Sequence, residues 1–435
     1  MAVDETFVIS DLGTATIRKL RNRILPLLFL LYVVAFLDRI NIGFAALTMN
    51  SALHITSSQF GLVTGVFFLG YFLLEIPSNL LLHKIGARVW IARILISWGF
   101  IAVLTGFVRS TPQLYAARFL LGAAEAGFFP GVLLYLTYWF RRREQARVIA
   151  LFMVAVPISG ILGAPISGLI LDHVHWLAIS SWRWLLILEG FPAVLCGILT
   201  YFALPSRLSE AAFLTSDEKA WIEAALAREH EEKAGQHPMS AWQALSHGRV
   251  WHLALISFAF QIGIYAMFFW MPQAIRGLSH LYSNTTIGIL GMIPYLTGAV
   301  VMIFVSRSSD HKMERRYHAA IPVAVAGLAF ILLGTTAIPW ISVLLWSFVA
   351  IGVSSFTGPF WSMPNEFLTG VSAASGIALV TSIGSLGGFV GPYAIGYLAK
   401  GSGGISKGLM VAAVSLFTAA CLALLLPNVG RREVS

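Results

Sequence analysis

Apolar residues run along this chain in blocks of about 20, the length that carries a helix across the hydrocarbon of a bilayer. Twelve blocks can be read, at roughly 24–48, 59–82, 89–108, 112–140, 148–171, 184–204, 251–275, 285–305, 319–338, 341–365, 375–399 and 405–427. Each predicts a helix, because backbone facing lipid must satisfy its own hydrogen bonds and no ten-residue alternation of strand type is visible. One polar stretch interrupts the series between the sixth and seventh blocks. Within it, Thr215 or Ser216 can start a helix with Asp217 and Glu218 in its first turn, followed by mixed charges to Lys233, so a solvated connecting helix is predicted. The pattern therefore predicts an all-α integral membrane protein with twelve transmembrane helices in two six-helix pseudo-repeats. Residues 1–204 form one bundle, 205–250 a cytoplasmic linker with a short helix, and 251–435 a second bundle. Gly160, Gly163, Pro165 and Gly168 in the fifth block match Gly388, Gly391, Pro392 and Gly396 in the eleventh, as related halves would.

Composition agrees with that pattern: 57% of residues are hydrophobic, 11% are charged, and mean hydropathy is +0.79, well outside the range of soluble domains. A net charge of +9 is of the kind that binds nucleic acid, but the basic residues sit in short loops beside apolar blocks, so no nucleic-acid partner is expected. Their distribution orients the chain. Arg18, Lys19, Arg21, Arg23, Lys84, Arg88, Arg141, Arg142, Arg143, Arg147, Arg307, Lys312, Arg315, Arg316, Arg431 and Arg432 fall on one side, against Arg109, Arg183, Arg276, Lys400 and Lys407 on the other. That asymmetry predicts both termini in the cytoplasm. The tail before Ile24 lacks the form of a cleavable signal peptide, so the first span is expected to direct insertion. Cys196 and Cys421 lie in apolar blocks and indicate neither a disulfide framework nor a metal site.

Charges inside the apolar blocks mark the chemistry. In RFLLGAAEAGFFPG, Arg118 and Glu125 are about two helical turns apart and share a helix face, among small residues that let a neighbour approach. In LYVVAFLDRINIGFAAL, Asp38 and Arg39 lie too deep to snorkel to the surface. Two anions and two cations balance, which lets an empty site exist in low dielectric. The bland reading is a structural ion pair. The functional one is symport: a proton on Asp38 or Glu125 frees an arginine, and a substrate carboxylate replaces the lost charge. Tyr71, Phe128, Phe129, Gln261, Tyr265, Trp270 and Trp361 are candidate cavity-lining residues. Glu75, just before Pro77, is expected to be structural and to pair with a loop cation. Asp172, His173 and His175 superficially suggest a metal site, but no further ligands stand nearby, and no cofactor is expected.

The runs LYVVAFLDRINIGFAALTMN, GYFLLEIPSNLLLHKIGAR, RFLLGAAEAGFFPG, SWRWLLILEGFPAVL and GIALVTSIGSLGGFVGPYAIGYL resemble the anion:cation symporter family of the major facilitator superfamily. The resemblance implies proton-coupled uptake of an organic-acid anion by alternating access. It places the chain in a bacterial cytoplasmic (inner) membrane, in contact with the lipid bilayer, and acting as a monomer. It gives Asp38 and Glu125 as protonation sites and Arg39 and Arg118 as contacts of the substrate anion. The family's loop signature implies a gating latch at Lys84, Gly86, Arg88 and Asp310, although His83 stands where an aspartate is usual and His311 where an arginine is. Many relatives carry asparagines where this chain has Thr381 and Ser385, which implies a roomier cavity with fewer hydrogen bonds. The same residues would serve an organic-anion exchanger. A multidrug exporter fits the buried arginines less well. A membrane-embedded enzyme lacks a nucleophile elbow, zinc helix or phosphate loop.

Overall fold

The computed structural model describes residues 2–234, 241–364, 368, 370–400 and 404–426. Arg431, Arg432, residues 235–240 of the connecting segment and the end of the second bundle lie outside the described residues, as do the side chains of 2–11, His83, Arg142, Arg143, Ala146, 230–234, Ala241 and 370–374.

Helices account for nearly all of it. The first bundle holds α1 (Ala2–Ala52), α2 (Ser57–Ile85), α3 (Ala87–Thr105), α4 (Thr111–Glu125), α5 (Phe128–Thr137), α6 (Arg142–Met153), α7 (Ala155–His173) and α8 (Ser181–Ala203). The connecting segment holds α9 (Ser216–Ala234) and α10 (Ala241–Ser246). The second bundle holds α11 (Gly248–Arg276), α12 (Asn284–Lys312), α13 (Arg316–Leu333), α14 (Pro339–Ser362), α15 (Gly370–Leu398) and α16 (Gly404–Leu425). Twelve stretches of the described chain are long and apolar enough to cross a membrane, and they coincide with the twelve blocks read from the sequence.

Three elements differ from expectation. The fourth span is not one helix: Ala126 is extended and Gly127 has φ +84, so α4 stops at Glu125 and α5 restarts at Phe128. An L side chain is strained in that left-handed conformation, and a Cβ at Gly127 would also collide with Ser78. The first span belongs to a 51-residue helix that reaches well back into the polar tail. Finally, α9 is not simply solvated. Thr215 caps it as expected, its hydroxyl accepting from Glu218 N at 3.3 Å while Glu218 accepts from Thr215 N at 2.9 Å. Yet Ile222 is fully buried, Trp221 packs on Gly13 of α1, and Lys19 of α1 pairs with Glu218 at 2.6 Å. The helix docks on the basic end of the first bundle because its apolar residues find a partner there.

Four of the six matched glycines line the seams between bundles, while Gly163 packs on Leu37 and Ile40 of α1 and Gly391 on Ile262 of α11, inside their own halves. Gly168 meets Asn284 and Thr285 and Gly160 meets Tyr295 of α12, while Gly396 meets Ser57 and Gly388 meets Phe68 of α2. The pairs α7–α12 and α2–α15 thus form equivalent contacts of the two halves, with small residues allowing close helix approach. The tightest of these contacts lie at the end opposite the basic loops. There Asp172, at the end of α7, accepts from Asn284 N at 3.2 Å, Asn284 Nδ2 at 2.7 Å, Thr285 N at 2.7 Å and Thr285 Oγ1 at 2.7 Å. Asp172 is a cap supplied by one half to a helix of the other, and among the described residues no group of His, Cys, Asp and Glu gathers as a metal site.

Candidate functional site

Asp38 and Arg39 are consecutive on α1, so their side chains leave the helix about 100° apart. Asp38 turns back into the first bundle. Its Oδ2 accepts from Trp98 Nε1 of α3 at 2.6 Å and its Oδ1 from Asn41 Nδ2 at 3.1 Å. Arg39 turns into the space between the bundles, where Nη2 pairs with Glu125 Oε1 at the end of α4 and Nη1 donates to Tyr265 Oη of α11 at 3.4 Å. Its guanidinium carbon also lies 5.0, 5.4 and 5.7 Å from the ring centres of Phe36, Phe67 and Tyr71, a cation–π environment that stabilises the charge with little water present.

Arg118 is buried with its guanidinium 5.0 Å from the Phe67 ring. Among the described residues no carboxylate stands within ion-pairing distance of it, its Nε and Nη2 have no partner, and its charge acts on Asp38 at longer range. The two doublets are therefore crossed. The arginine of α1 pairs with the glutamate of α4, and the arginine of α4 faces the aspartate of α1. The break at Gly127 places Glu125 on the last turn of α4, and bare Gly122 lets α4 sit against the Phe67 carbonyl of α2.

Arg39 stands in the wall of a cavity between the bundles, with about 820 Å³ of atom-free space, part of it continuous with solvent. Tyr71, Gln261, Tyr265, Trp361, Thr381 and Ser385 share that wall, as does Phe129. Asp38, Arg118 and Glu125 stand behind it, while Phe128 packs on Trp98 and Trp270 on Phe60, away from the cavity. The hydroxyls of Thr381 and Ser385 bond back to their own helix, at 3.0 Å to Ala378 O and 2.9 Å to Thr381 O. Lining positions run from 39 to 32 on α1, 68 to 75 on α2 and 268 to 257 on α11, so the space extends from mid-membrane toward the basic end. A lining that is mostly aromatic with a few convergent polar groups suits a small-molecule ligand.

Residues 28–392 match the model of the Major Facilitator Superfamily. The chain belongs to that superfamily. Its fold agrees: a bacterial homologue of the human lysosomal transporter Spinster, solved in an inward-facing, unoccupied conformation, superposes with a TM-score of 0.73 at 18% identity, over 93% of this chain and 96% of that one. Among curated relatives, a proposed tartrate transporter of Agrobacterium vitis is 44% identical over 96% of both chains. A quinolone resistance transporter of Acinetobacter baumannii is 36% identical over 92% of both. The superfamily and these relatives make this chain a multi-pass transporter and not an enzyme.

The superfamily loop residues do not meet across the halves in this structure. Gly86, with φ +97, turns α2 into α3; Lys84 is exposed; Arg88 pairs with Glu210 of the connecting segment at 3.2 Å. Asp310 pairs with Arg315 of its own loop at 2.5 Å. Glu75 corrects an expectation. Among the described residues no loop cation reaches it. It is fully buried, lines the cavity and accepts from Ser382 Oγ of α15 at 2.7 Å, because its side chain faces the other half. Tyr32, Phe36 and Phe268 also wall the cavity without standing out in the sequence. Their only signal was an aromatic spacing shared with ordinary core.

Proposed function

We propose that this transporter carries a small organic carboxylate by proton symport and alternating access across a bacterial cytoplasmic membrane, as a monomer with its termini and basic loops in the cytoplasm. The observation that carries this reading is the pairing of Arg39, in the cavity wall, with Glu125 behind it, while Tyr265 of the opposite bundle accepts from the same guanidinium. A proton on Glu125 leaves Arg39 uncompensated in a dry site, and a substrate carboxylate restores the balance with two parallel hydrogen bonds. Because Arg39 is held by groups from both bundles, the substrate that displaces Glu125 also biases how the bundles sit. Arg118 stands outside the wall, so its part is to balance Asp38, a second protonation site, and to reach substrate only once Phe67 moves. Lys84, Gly86, Arg88 and Asp310 would latch the basic end in the opposite conformation. The tartrate-transporter relative supports a carboxylate as cargo.

Purified protein in vesicles with an imposed proton gradient tests this directly. Labelled L-tartrate and a panel of hydroxy, sugar and aromatic acids are offered. One of them should accumulate, and a protonophore should abolish the accumulation. Uptake that continues undiminished once the gradient is collapsed would make the protein an exchanger. An export reading is favoured by the aromatic wall and by the quinolone resistance relative; it would appear as proton-driven loss of a preloaded aromatic compound.

A further inference from the structure

Among the described residues of the membrane spans, two buried carboxyls remain outside the charge balance of Asp38, Arg39, Arg118 and Glu125. One is Glu75. The other is Glu189, in the middle of α8, only 5% exposed. Glu189 Oε1 accepts from Ser167 Oγ of α7 at 2.8 Å, and Oε2 has no partner. No cation among the described residues lies within ion-pairing distance of it.

The group between Glu189 and Asp38 is Asn41, fully buried one turn beyond Asp38. Its Nδ2 donates to Asp38 Oδ1 at 3.1 Å, its side chain also faces Glu189, and its own Oδ1 has no partner. Helices α1, α3 and α7 pack against α8. Of these, α3 contributes Trp98, already committed to Asp38, and α7 contributes Ser167; α1 contributes Asp38 and Asn41, while its Arg39 is turned away to Glu125. The charge that Glu189 meets is that of Asp38, and Arg118 acts on Asp38.

We propose that Asp38 and Glu189 share one proton across Asn41, so that the inner proton site of the first bundle is a pair of carboxyls. Two carboxylates on one amide in a dry site repel, and one guanidinium at a distance does not offset both. A neutral acid supplies the hydroxyl hydrogen that Asn41 Oδ1 lacks. With Nδ2 toward Asp38 the proton resides on Glu189; with the amide turned over it resides on Asp38. Either arrangement gives the orphaned atoms a partner, and the two acids titrate as one system. A second proton, bound at Asp38, neutralises it and leaves Arg118 uncompensated. Glu189 is thus a positioning residue, acting on transport through Asp38.

The transport consequence rests on the symport reading; the shared proton does not. Infrared difference spectra of the purified full-length protein between about pH 5 and about pH 8 report protonated carboxyls directly. Glu189→Gln keeps the bond from Ser167 but cannot exchange a proton. It should change the carboxyl band that Asp38→Asn also changes, and the double variant should lose no more than the larger single loss. In vesicles, Glu189→Gln should move the midpoint of gradient-driven uptake to higher pH, since the Asp38 anion loses the acid whose shared proton stabilises it. Ser167→Ala, which removes only a hydroxyl, should perturb the same band and serves if Glu189→Gln does not fold. Spectra and pH profile that superpose on the parent's would overturn the proposal. Uptake indifferent to a protonophore in the parent would sink the symport reading and leave the shared proton to be judged on the infrared band.

Discussion

At the scale of single residues, the arginine in the wall and the carboxyl behind it should separate binding from coupling. Glu125→Gln is expected to abolish proton-driven accumulation while exchange of substrate across the membrane survives. Arg39→Ala is expected to weaken binding by about 2 kcal/mol or more, the scale of a lost charge-assisted, bidentate contact. Calorimetric titration with whichever acid the vesicle panel identifies reads the second, and equal affinity in the arginine variant and the parent would contradict the assignment. The four charges were legible in the sequence because a charge in hydrocarbon is costly and stands out. Their crossed pairing was not, because Arg39 and Glu125 meet only when α1 and α4 pack. Glu75 and Glu189 stood in plain view as well, yet their partners, Ser382 and Ser167, are hydroxyls on distant helices whose spacing carries no charge signal.

At the scale of elements, all twelve spans could be read from hydropathy, and the break inside the fourth could not. A glycine among small residues reads as a packing position. Only the structure gives Gly127 a positive φ and puts Ser78 where a Cβ would go. The connecting helix carries a pH dependence. Burial pushes the Glu218 carboxyl up, but the bonds from Lys19 and the Thr215 backbone outweigh it, and the net result is a carboxyl held below its ordinary value. A depressed folded-state value contributes stability above the unfolded carboxyl value, and that contribution is lost as pH falls through the folded one. Protection of α9 against hydrogen exchange, relative to the intrinsic rate, should therefore fall below about pH 4 and stay intact at neutral pH. Lys19→Ala should bring the same loosening at neutral pH, at a cost of no more than about 1 kcal/mol for so exposed a cation. Unchanged exchange in both conditions would show that the apolar packing of Trp221 and Ile222 holds the helix alone.

At the scale of the whole molecule, the matched glycines of the fifth and eleventh spans announced two related halves, and the structure gives them a purpose, since two of each set line the seams on which the halves meet and the third packs within its own half. Which end is shut was beyond the sequence, because it depends on contacts between α7 and α12 more than a hundred residues apart. The Asp172 cap is the strongest polar tie at that end. Charge-assisted hydrogen bonds contribute about 1.5–3 kcal/mol each, and conformers of a two-state protein differ by only a few kcal/mol. Asp172→Ala should therefore shift the population toward opening of this end. Spin labels at His54 and Leu281, on the two halves, should report a longer or broader distance distribution in the variant; an unchanged one would leave the glycine seam as the sole closure.

The way to Arg39 in this conformer begins on one face only. An impermeant reagent that competes for the guanidinium would find it in vesicles exposing the Lys84 and Arg315 side and would be blind to those inserted the other way round. In a population of mixed insertion, the inhibited fraction would then count the molecules in each sense and establish which compartment the resting carrier is waiting to sample.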